Sequence, residues 1–268
     1  YNIAVGHFAL NTLTTADKNI GIGAESLRYL TTGSNNIALG ANTLDALTIG
    51  HSNVALGYAT LGSEVVAYGI TAIGYGVFSN ANRSASSGSA VLNPQIGIGY
   101  LAGSVTTTGN TNTFIGAYSA IANTTGSRNV TLGYATLQTA TTSNDCVAIG
   151  NEAMAWAQAG QAYSGVVAIG KNAVKGNTSS TTTGINGTVG IGMDALTALT
   201  SGTQNTAIGY QAGKELQDNH ANTAIGYNSM YRSGATTYHN TFVGATSGSG
   251  DWTGTVSYTH LRAHETRH

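Results

Sequence analysis

A short phrase, an aliphatic residue followed by glycine, recurs fourteen times along this 268-residue chain. The interval between neighbouring phrase glycines is usually the same as that between Gly6 and Gly23, and only four intervals are longer. A repeat this regular predicts one supersecondary unit stacked many times, with each unit packed on its neighbours. The glycines that define the structural repeat are Gly6, Gly23, Gly40, Gly57, Gly74, Gly99, Gly116, Gly133, Gly150, Gly170, Gly192, Gly209, Gly226 and Gly244.

The residues around each glycine follow the pattern of a short β-strand. With the phrase glycine as position zero, position −1 is Val, Ile or Leu in all fourteen repeats, and position −3 is usually Ile, Val or Thr. Position −2 is mostly Ala or Gly, so large and small side chains alternate with the period of a strand. We expect the strand to end at the glycine and a second short strand to follow it, because position +4 is commonly apolar. The sequence therefore predicts an all-β fold, a parallel β-solenoid of about fourteen 17-residue coils.

Two further columns of the repeat are polar or aromatic. Position −4 is Asn in nine repeats, and Asn amides at one phase of a coil can cap a turn or stack into a ladder along the solenoid. Cys146, the only cysteine, takes the place of this Asn and is interpreted as a small half-buried residue. Position +1 is Tyr in six repeats: Tyr58, Tyr75, Tyr100, Tyr134, Tyr210 and Tyr227.

Composition and motifs argue against several classes of function. Only 8% of the residues are charged and the net charge is −1, so the chain offers no basic field for nucleic acid or an anionic membrane surface. The Gly-Ile-Gly phrases fall at the phase of the repeat, and none completes a dinucleotide fingerprint. His220 and His239 lie near one phase of adjacent coils without further metal ligands, and we interpret them as surface residues. We expect no enzyme activity, no cofactor, no metal and no membrane insertion of this segment.

Two phrases carry a resemblance to known repeats. The stretches NTAIGYQAG at 205–213 and NTAIGY at 222–227 resemble the head repeats of trimeric autotransporter adhesins and the related repeats of phage tail fibres. The resemblance covers the chain to about Thr255, and the adhesin head repeat is shorter than the repeat of this chain, which favours the fibre-like relatives. It implies a left-handed parallel β-roll, three chains around one axis and attachment to a surface.

The core available to one coil is thin, which also predicts an oligomer. Small residues at −2 and +3 would allow copies to approach closely, so we expect those columns to form the contact between chains. The functional hypothesis is a structural and adhesive fibre segment, a homotrimer that binds a host-cell surface, a glycan or a protein receptor. Its expected location is extracellular, on a bacterial cell surface or a phage virion tail. An ice-binding β-solenoid is the alternative, although Thr is concentrated in the turns.

Three long steps predict loops on one side of the coil. The extra residues fall in 79–93, 155–163 and 177–186, each after position +4 and before the next strand. Solenoids commonly carry ligand contacts on loops of one face. The candidate contact residues are Arg83, Trp156, Tyr163 and Asn177. For the two aromatic residues, covering apolar surface beneath the loop is an equal alternative.

The two ends of the sequence predict a fragment. The chain starts inside a repeat without an initiator Met, and residues 256–268 do not continue the pattern. The stretch VSYTHLRAHET matches an in-frame translation of a transposase mosaic-end and sequencing-adapter sequence. We therefore expect a solenoid domain over 1–255 and an artefactual or disordered tail over 256–268.

Overall fold

The fold is all-β, with no helix in any of the ranges that the computed structural model describes. Those ranges are 1–80, 94–156, 162–176, 184–232 and 238–250, together with the backbone of 259–261. The chain divides into two compact units, Tyr1–Ala135 and Thr136–His268. Each unit contains its own hydrophobic core. The predicted parallel β-solenoid with a 17-residue repeat is confirmed.

The first unit contains eight strands of three residues each, and every strand ends just before a phrase glycine. Each strand pairs in parallel with the next one along the chain, and equivalent repeat positions lie opposite each other, as in Ile3 opposite Ile20. The strands are β1 (Ile3–Val5), β2 (Ile20–Ile22), β3 (Ile37–Leu39), β4 (Val54–Leu56), β5 (Thr71–Ile73), β6 (Ile96–Ile98), β7 (Thr113–Ile115) and β8 (Val130–Leu132).

The second unit repeats this arrangement. Strands separated by a long step also pair in register, with Val167 opposite Val189. Its strands are β9 (Val147–Ile149), β10 (Val167–Ile169), β11 (Val189–Ile191), β12 (Thr206–Ile208), β13 (Thr223–Ile225), β14 (Thr241–Val243) and β15 (Thr259–Leu261). The last strand lies within the predicted tail and pairs in parallel with β14.

The side chain in the middle of each strand, at position −2, points into the coil, while positions −3 and −1 point outward. The pattern holds in β2–β14, where the central residue is buried and its two neighbours are half-buried or exposed. Position +3 is also interior, as Thr43 and Ser119 show. The prediction that the small residues at −2 and +3 contact other chains is therefore wrong, because both columns line the core.

Leucine at position +4 explains why position −2 must be small. The +4 residues Leu27, Leu44 and Leu61 are fully buried and fill the interior that the strand faces. Where −2 is instead a large Phe114, the nearby +4 position is Gly103, whose added Cβ would lie 2.7 Å from the Phe114 ring. Large side chains from one column or the other therefore fill this space, and in the coil of Gly103 they come from the neighbouring coils, as Phe78 and Phe114.

The segment after each glycine is a turn rather than the second strand predicted from the sequence. Positions +2 and +4 have left-handed backbone in all fourteen coils, for example Asn42 with φ 54° and Leu44 with φ 52°. As a result the consecutive side chains at +3 and +4 both face inward, whereas neighbours in a strand point to opposite faces. The turns still hydrogen-bond between coils: the Asn42 N–H donates to Ala24 O (2.9 Å) and the Leu44 N–H to Thr60 O (3.0 Å).

The predicted asparagine ladder is confirmed and is buried. The Asn36 Nδ2 donates to Asn19 Oδ1 (3.0 Å) and to Gly50 O (2.9 Å), and its Oδ1 accepts from the Asn53 backbone N–H (3.1 Å) and Nδ2 (2.9 Å). Each amide thus ties its own coil to both neighbours and to the turn beside it. The same bonds link Asn112 with Asn129, Asn205 with Asn222, and Asn222 with Asn240.

Cys146 occupies the asparagine column in the second unit and is 1% exposed, so it is more buried than the half-buried residue predicted. Burial raises the pKa of its thiol from 9.0 to about 11. We expect a thiol-disulfide reagent at pH 8 to modify Cys146 only after unfolding, because the thiolate is the nucleophile. Equal reaction rates for native and urea-unfolded protein would contradict this burial.

The same pKa shift predicts a pH dependence of stability. Between about pH 9 and 11 the unfolded thiol loses its proton while the native one retains it. The free energy of unfolding should therefore fall as pH rises through this window, by at most about 1.4 kcal/mol per pH unit. Urea titrations of the unmodified chain and of Cys146→Ala at several pH values measure the difference in slope.

Candidate interaction face

The outward side chains at positions −3 and −1 form an apolar surface in each unit, which we call the aliphatic face. Its members are partly exposed, with Leu39 at 44% and Leu132 at 46%. In the first unit they are Ile3, Val5, Ile20, Ile22, Ile37, Leu39, Val54, Leu56, Thr71, Ile73, Ile96, Ile98, Thr113, Ile115, Val130 and Leu132. In the second they are Val147, Ile149, Val167, Ile169, Val189, Ile191, Thr206, Ile208, Thr223, Ile225, Thr241 and Val243.

The aliphatic face carries no charged residue, and its geometry is that of a flat ladder. Parallel in-register pairing places equivalent side chains about 4.8 Å apart along the sheet. β-Branched residues and leucine suit such a surface. An apolar patch that extends over eight strands exceeds what monomeric soluble proteins usually expose, and such patches mark interaction sites.

Tyrosines at position +1 flank the aliphatic face, and we call them the tyrosine column. In the first unit Tyr58, Tyr75 and Tyr100 stack with ring centroids 5.4 and 5.2 Å apart. In the second unit Tyr210 and Tyr227 stack at 5.6 Å. The exposed fractions of these five side chains lie between 41% and 54%.

Four ion pairs between side chains lie beyond the tyrosine column, at positions +2, +5 and +6. The Lys175 Nζ is 2.5 Å from Glu152 Oε2, and the Arg28 Nη1 is 3.1 Å from Glu25 Oε2. Further pairs are Lys214 with Asp194 and Arg232 with Glu215. Exposed pairs of this kind contribute about 0–1 kcal/mol each. We call this side of the coil the charged edge, and charged residues also occur elsewhere, such as Lys18 and Arg128 at position −5.

The structure describes two of the four predicted contact residues. Arg83 and Asn177 lie outside the described residues. Trp156 is half-buried at position +6, with the Lys175 Nζ 5.9 Å from its ring centroid. Tyr163 is fully buried in the core of the second unit, so its side chain is not exposed to a ligand.

The described residues that flank the long steps nevertheless occupy equivalent places. Asn80, Trp156 and Gly176 precede the three long steps, and each is at position +6 of its coil. Pro94, Ala162 and Gly184 are the first described residues after them, between positions −8 and −5. The last described residue before each long step therefore lies at the charged edge of the coil.

Of the two histidines singled out in the sequence, His220 takes part in packing and His239 does not. The His220 Nδ1 accepts a hydrogen bond from the Thr203 N–H (3.1 Å), and its ring stacks on Tyr238 at 5.4 Å. His239 is exposed and has left-handed backbone, with φ 57°. Among the described residues no group of three His, Cys, Asp or Glu side chains is placed to hold a metal ion.

The columns predicted to contact other chains, −2 and +3, are not the ones that face outward. A signal was present in the phenylalanines at position −2, Phe114 and Phe242, each of which has a glycine at a +4 position beside its ring, Gly103 and Gly248. Such compensation between two columns indicates that both face the same enclosed space. The alternate columns, −3 and −1, must then face outward.

Comparison with known proteins identifies no relative. No protein-family model matches the chain, and no curated protein or solved structure has significant similarity to it. Within the described ranges, no helix has the length and apolar character to span a bilayer. Function must therefore be argued from the aliphatic face and the edge of the coil.

Proposed function

We propose that this chain is a structural fibre segment whose copies associate through the aliphatic face. The observation that carries the proposal is an uncharged ladder of partly exposed Ile, Val and Leu side chains on every described coil. Three chains around a common axis is the number that the resemblance to adhesin heads and tail fibres implies. With that arrangement the outward face of each sheet becomes the inner face of the assembly.

The energetics of such an assembly scale with the number of coils. Fully burying one Ile, Val or Leu side chain stabilises by about 1.5–3 kcal/mol, and a half-exposed side chain contributes roughly half of that on association. Each coil supplies two such positions, so coils add similar increments along the repeat. A long solenoid therefore associates strongly even though each coil offers little.

The charged edge has a different proposed role, which is to carry the segments that contact a partner outside the fibre. The last described residue before each of the three insertions is at position +6, so we propose that copies meeting through the aliphatic face would display the inserted segments away from the common axis. We propose that these segments contact a host-cell surface, a glycan or a protein receptor, and that the fibre is extracellular. The proposal assigns no catalytic activity or cofactor to the chain.

A pair of lysines on the aliphatic face tests the assembly. Leu39→Lys with Leu132→Lys places two charges on the first unit's face, where an interface would have to bury them at a cost of several kcal/mol. We expect the variant to sediment as a single chain and to keep its β-type circular dichroism, because both side chains are already partly exposed.

The matched control for this variant carries the same added charge elsewhere. Thr15→Lys with Thr32→Lys changes two exposed turn residues at position −8, and we expect it to keep the mass of the unmodified protein. If the face variant and the control sediment alike, the aliphatic face is not the interface.

Ice binding remains a second candidate because of the second unit's face. Thr206, Thr223 and Thr241 stack at position −3 of β12–β14 and point outward, although Ile or Val rather than Thr occupies position −1. A flat, regular Thr and aliphatic surface is the kind of surface that can order water as ice does. Thermal hysteresis of the unmodified protein would support this candidate, and its absence at millimolar protein would eliminate it.

A further inference from the structure

The tyrosine column has a geometry that neither assembly nor loop display requires. Tyr58 and Tyr75 stack with 16° between their ring planes, Tyr75 and Tyr100 with 14°, and Tyr210 and Tyr227 with 8°. All five rings are about half exposed. Each pair is thus nearly parallel, close in space and open to a reagent in solution.

Backbone hydrogen bonds hold these pairs together. The Gly76 N–H donates to Tyr58 O (3.0 Å), the Leu101 N–H to Tyr75 O (2.9 Å) and the Asn228 N–H to Tyr210 O (2.9 Å). The strands that precede each pair are also in register, with Leu56 opposite Ile73. The backbone therefore keeps the two side chains of each pair adjacent as long as the sheet is intact.

Stacking also decides what the column can do. The ring faces are turned toward one another along the stack, so they are not free to form a platform for a sugar ring or a cation. What the column presents is ring edges and phenolic hydroxyl groups. Adjacent phenols that are held in contact are the arrangement that favours coupling of two tyrosyl radicals.

We propose that the tyrosine column is a site of oxidative cross-linking, in which stacked neighbours become dityrosine. The oxidant is a haem peroxidase supplied with hydrogen peroxide, and it removes one electron and one proton from each phenol. The two phenoxyl radicals form a carbon–carbon bond between ring positions ortho to oxygen, and the ring hydrogens at that bond shift to the two oxygens. Overall, two tyrosines and one hydrogen peroxide give one dityrosine and two water molecules.

The structure predicts which pairs react. Tyr118 and Tyr134 are also adjacent, but their ring planes are 89° apart at a centroid distance of 5.8 Å, which is edge-to-face packing. Tyr29 has no tyrosine partner among the described residues and lies beneath the Arg28 guanidinium, 4.9 Å from its ring centroid. The expected products are therefore Tyr58–Tyr75, Tyr75–Tyr100 and Tyr210–Tyr227.

The test is treatment of the full chain with a haem peroxidase and hydrogen peroxide, followed by proteolysis and mass-spectrometric mapping of cross-linked peptides. We expect the three named pairs to account for most cross-links. Tyr75→Phe should abolish both first-unit products and leave Tyr210–Tyr227 unchanged, whereas Tyr227→Phe should do the reverse. Phenylalanine keeps the stacked ring and removes only the reacting hydroxyl, so loss of a product reports chemistry rather than unfolding.

Mixing isotopically light and heavy protein separates reaction within a chain from reaction between chains. Cross-linked peptides that carry a single isotope at the three named pairs support the proposal. The cross-linking proposal is overturned if those products are absent or if they occur only as light–heavy hybrids. It is also overturned if Tyr29 and Tyr134 form cross-links in the same yield as the three named pairs. The result does not depend on the proposed fibre function, since the pairs lie within one chain.

Discussion

Replacing Gly57 with alanine is expected to unfold the first unit or to reduce its free energy of unfolding by more than about 4 kcal/mol. Gly57 has φ +126°, which L-amino acids rarely adopt, and an added Cβ would lie 2.1 Å from Gly74 O in the next coil. The Gly57 N–H also donates to Leu39 O in the preceding coil (2.8 Å). The backbone at Gly57 is thus held by the coils on both sides, and it cannot shift without breaking hydrogen bonds between coils.

The control is a second glycine in the same coil. Gly62 has no positive φ, and its added Cβ would meet nothing closer than 3.4 Å, which is an ordinary contact. Gly62→Ala should therefore change the unfolding free energy by less than about 1 kcal/mol. Urea titration followed by circular dichroism compares the two. If the two alanine variants had similar free energies of unfolding, neighbouring coils would not approach each other as closely as the structure shows.

Replacing Asn36 with aspartate is expected to cost about 3–5 kcal/mol at pH 7. The Asn36 side chain is fully buried, and its Nδ2 donates to two acceptors, Asn19 Oδ1 and Gly50 O. A carboxylate in that place would put negative charge against both acceptors and remove the side-chain donor from each, so that Asn19 Oδ1 would keep only its bond from the residue 36 backbone N–H. Because burial and these acceptors disfavour the ionised form, the carboxyl pKa of the variant should be raised.

Two comparisons test this prediction: the pH dependence of the stability of Asn36→Asp, and the same substitution at the neighbouring Asn35. Below the raised pKa the protonated carboxyl donates one hydrogen bond again, so the stability deficit of Asn36→Asp should shrink as pH falls from 7 to 4. Asn35 is exposed and has φ 61°, a conformation that Asp also tolerates. Asn35→Asp should be nearly neutral at both pH values. An Asn36→Asp variant as stable as Asn35→Asp would contradict a buried ladder.

Much of the fold could be predicted because it depends on residues that repeat at one phase. The strand before each glycine, the parallel stacking and the asparagine ladder all follow from columns such as Asn19, Asn36 and Asn53. The direction of each column could not be read in the same way. An alternating pattern indicates that every second side chain lies on the same face. It does not indicate which of the two faces is enclosed.

The error at positions −2 and +3 arose from size. Small side chains there predict a surface where chains approach closely, whereas Leu44 at +4 already fills the interior that Ala38 faces. The turn after the glycine could not be predicted because a non-glycine residue such as Leu44 with positive φ is uncommon, so propensity favours a strand. Tyr163 follows an insertion, where the sequence departs from the repeat, so no column of the repeat indicates its burial.

The mass of the unmodified protein in solution tests the central claim most directly, namely that the aliphatic face is covered by further copies of this chain. Sedimentation equilibrium over a hundredfold range of concentration gives that mass without assuming a shape. We predict a particle of three chains, each of 27.2 kDa, that persists on dilution. A mass of one chain across the whole range would contradict the account and leave the aliphatic face as a surface exposed to water.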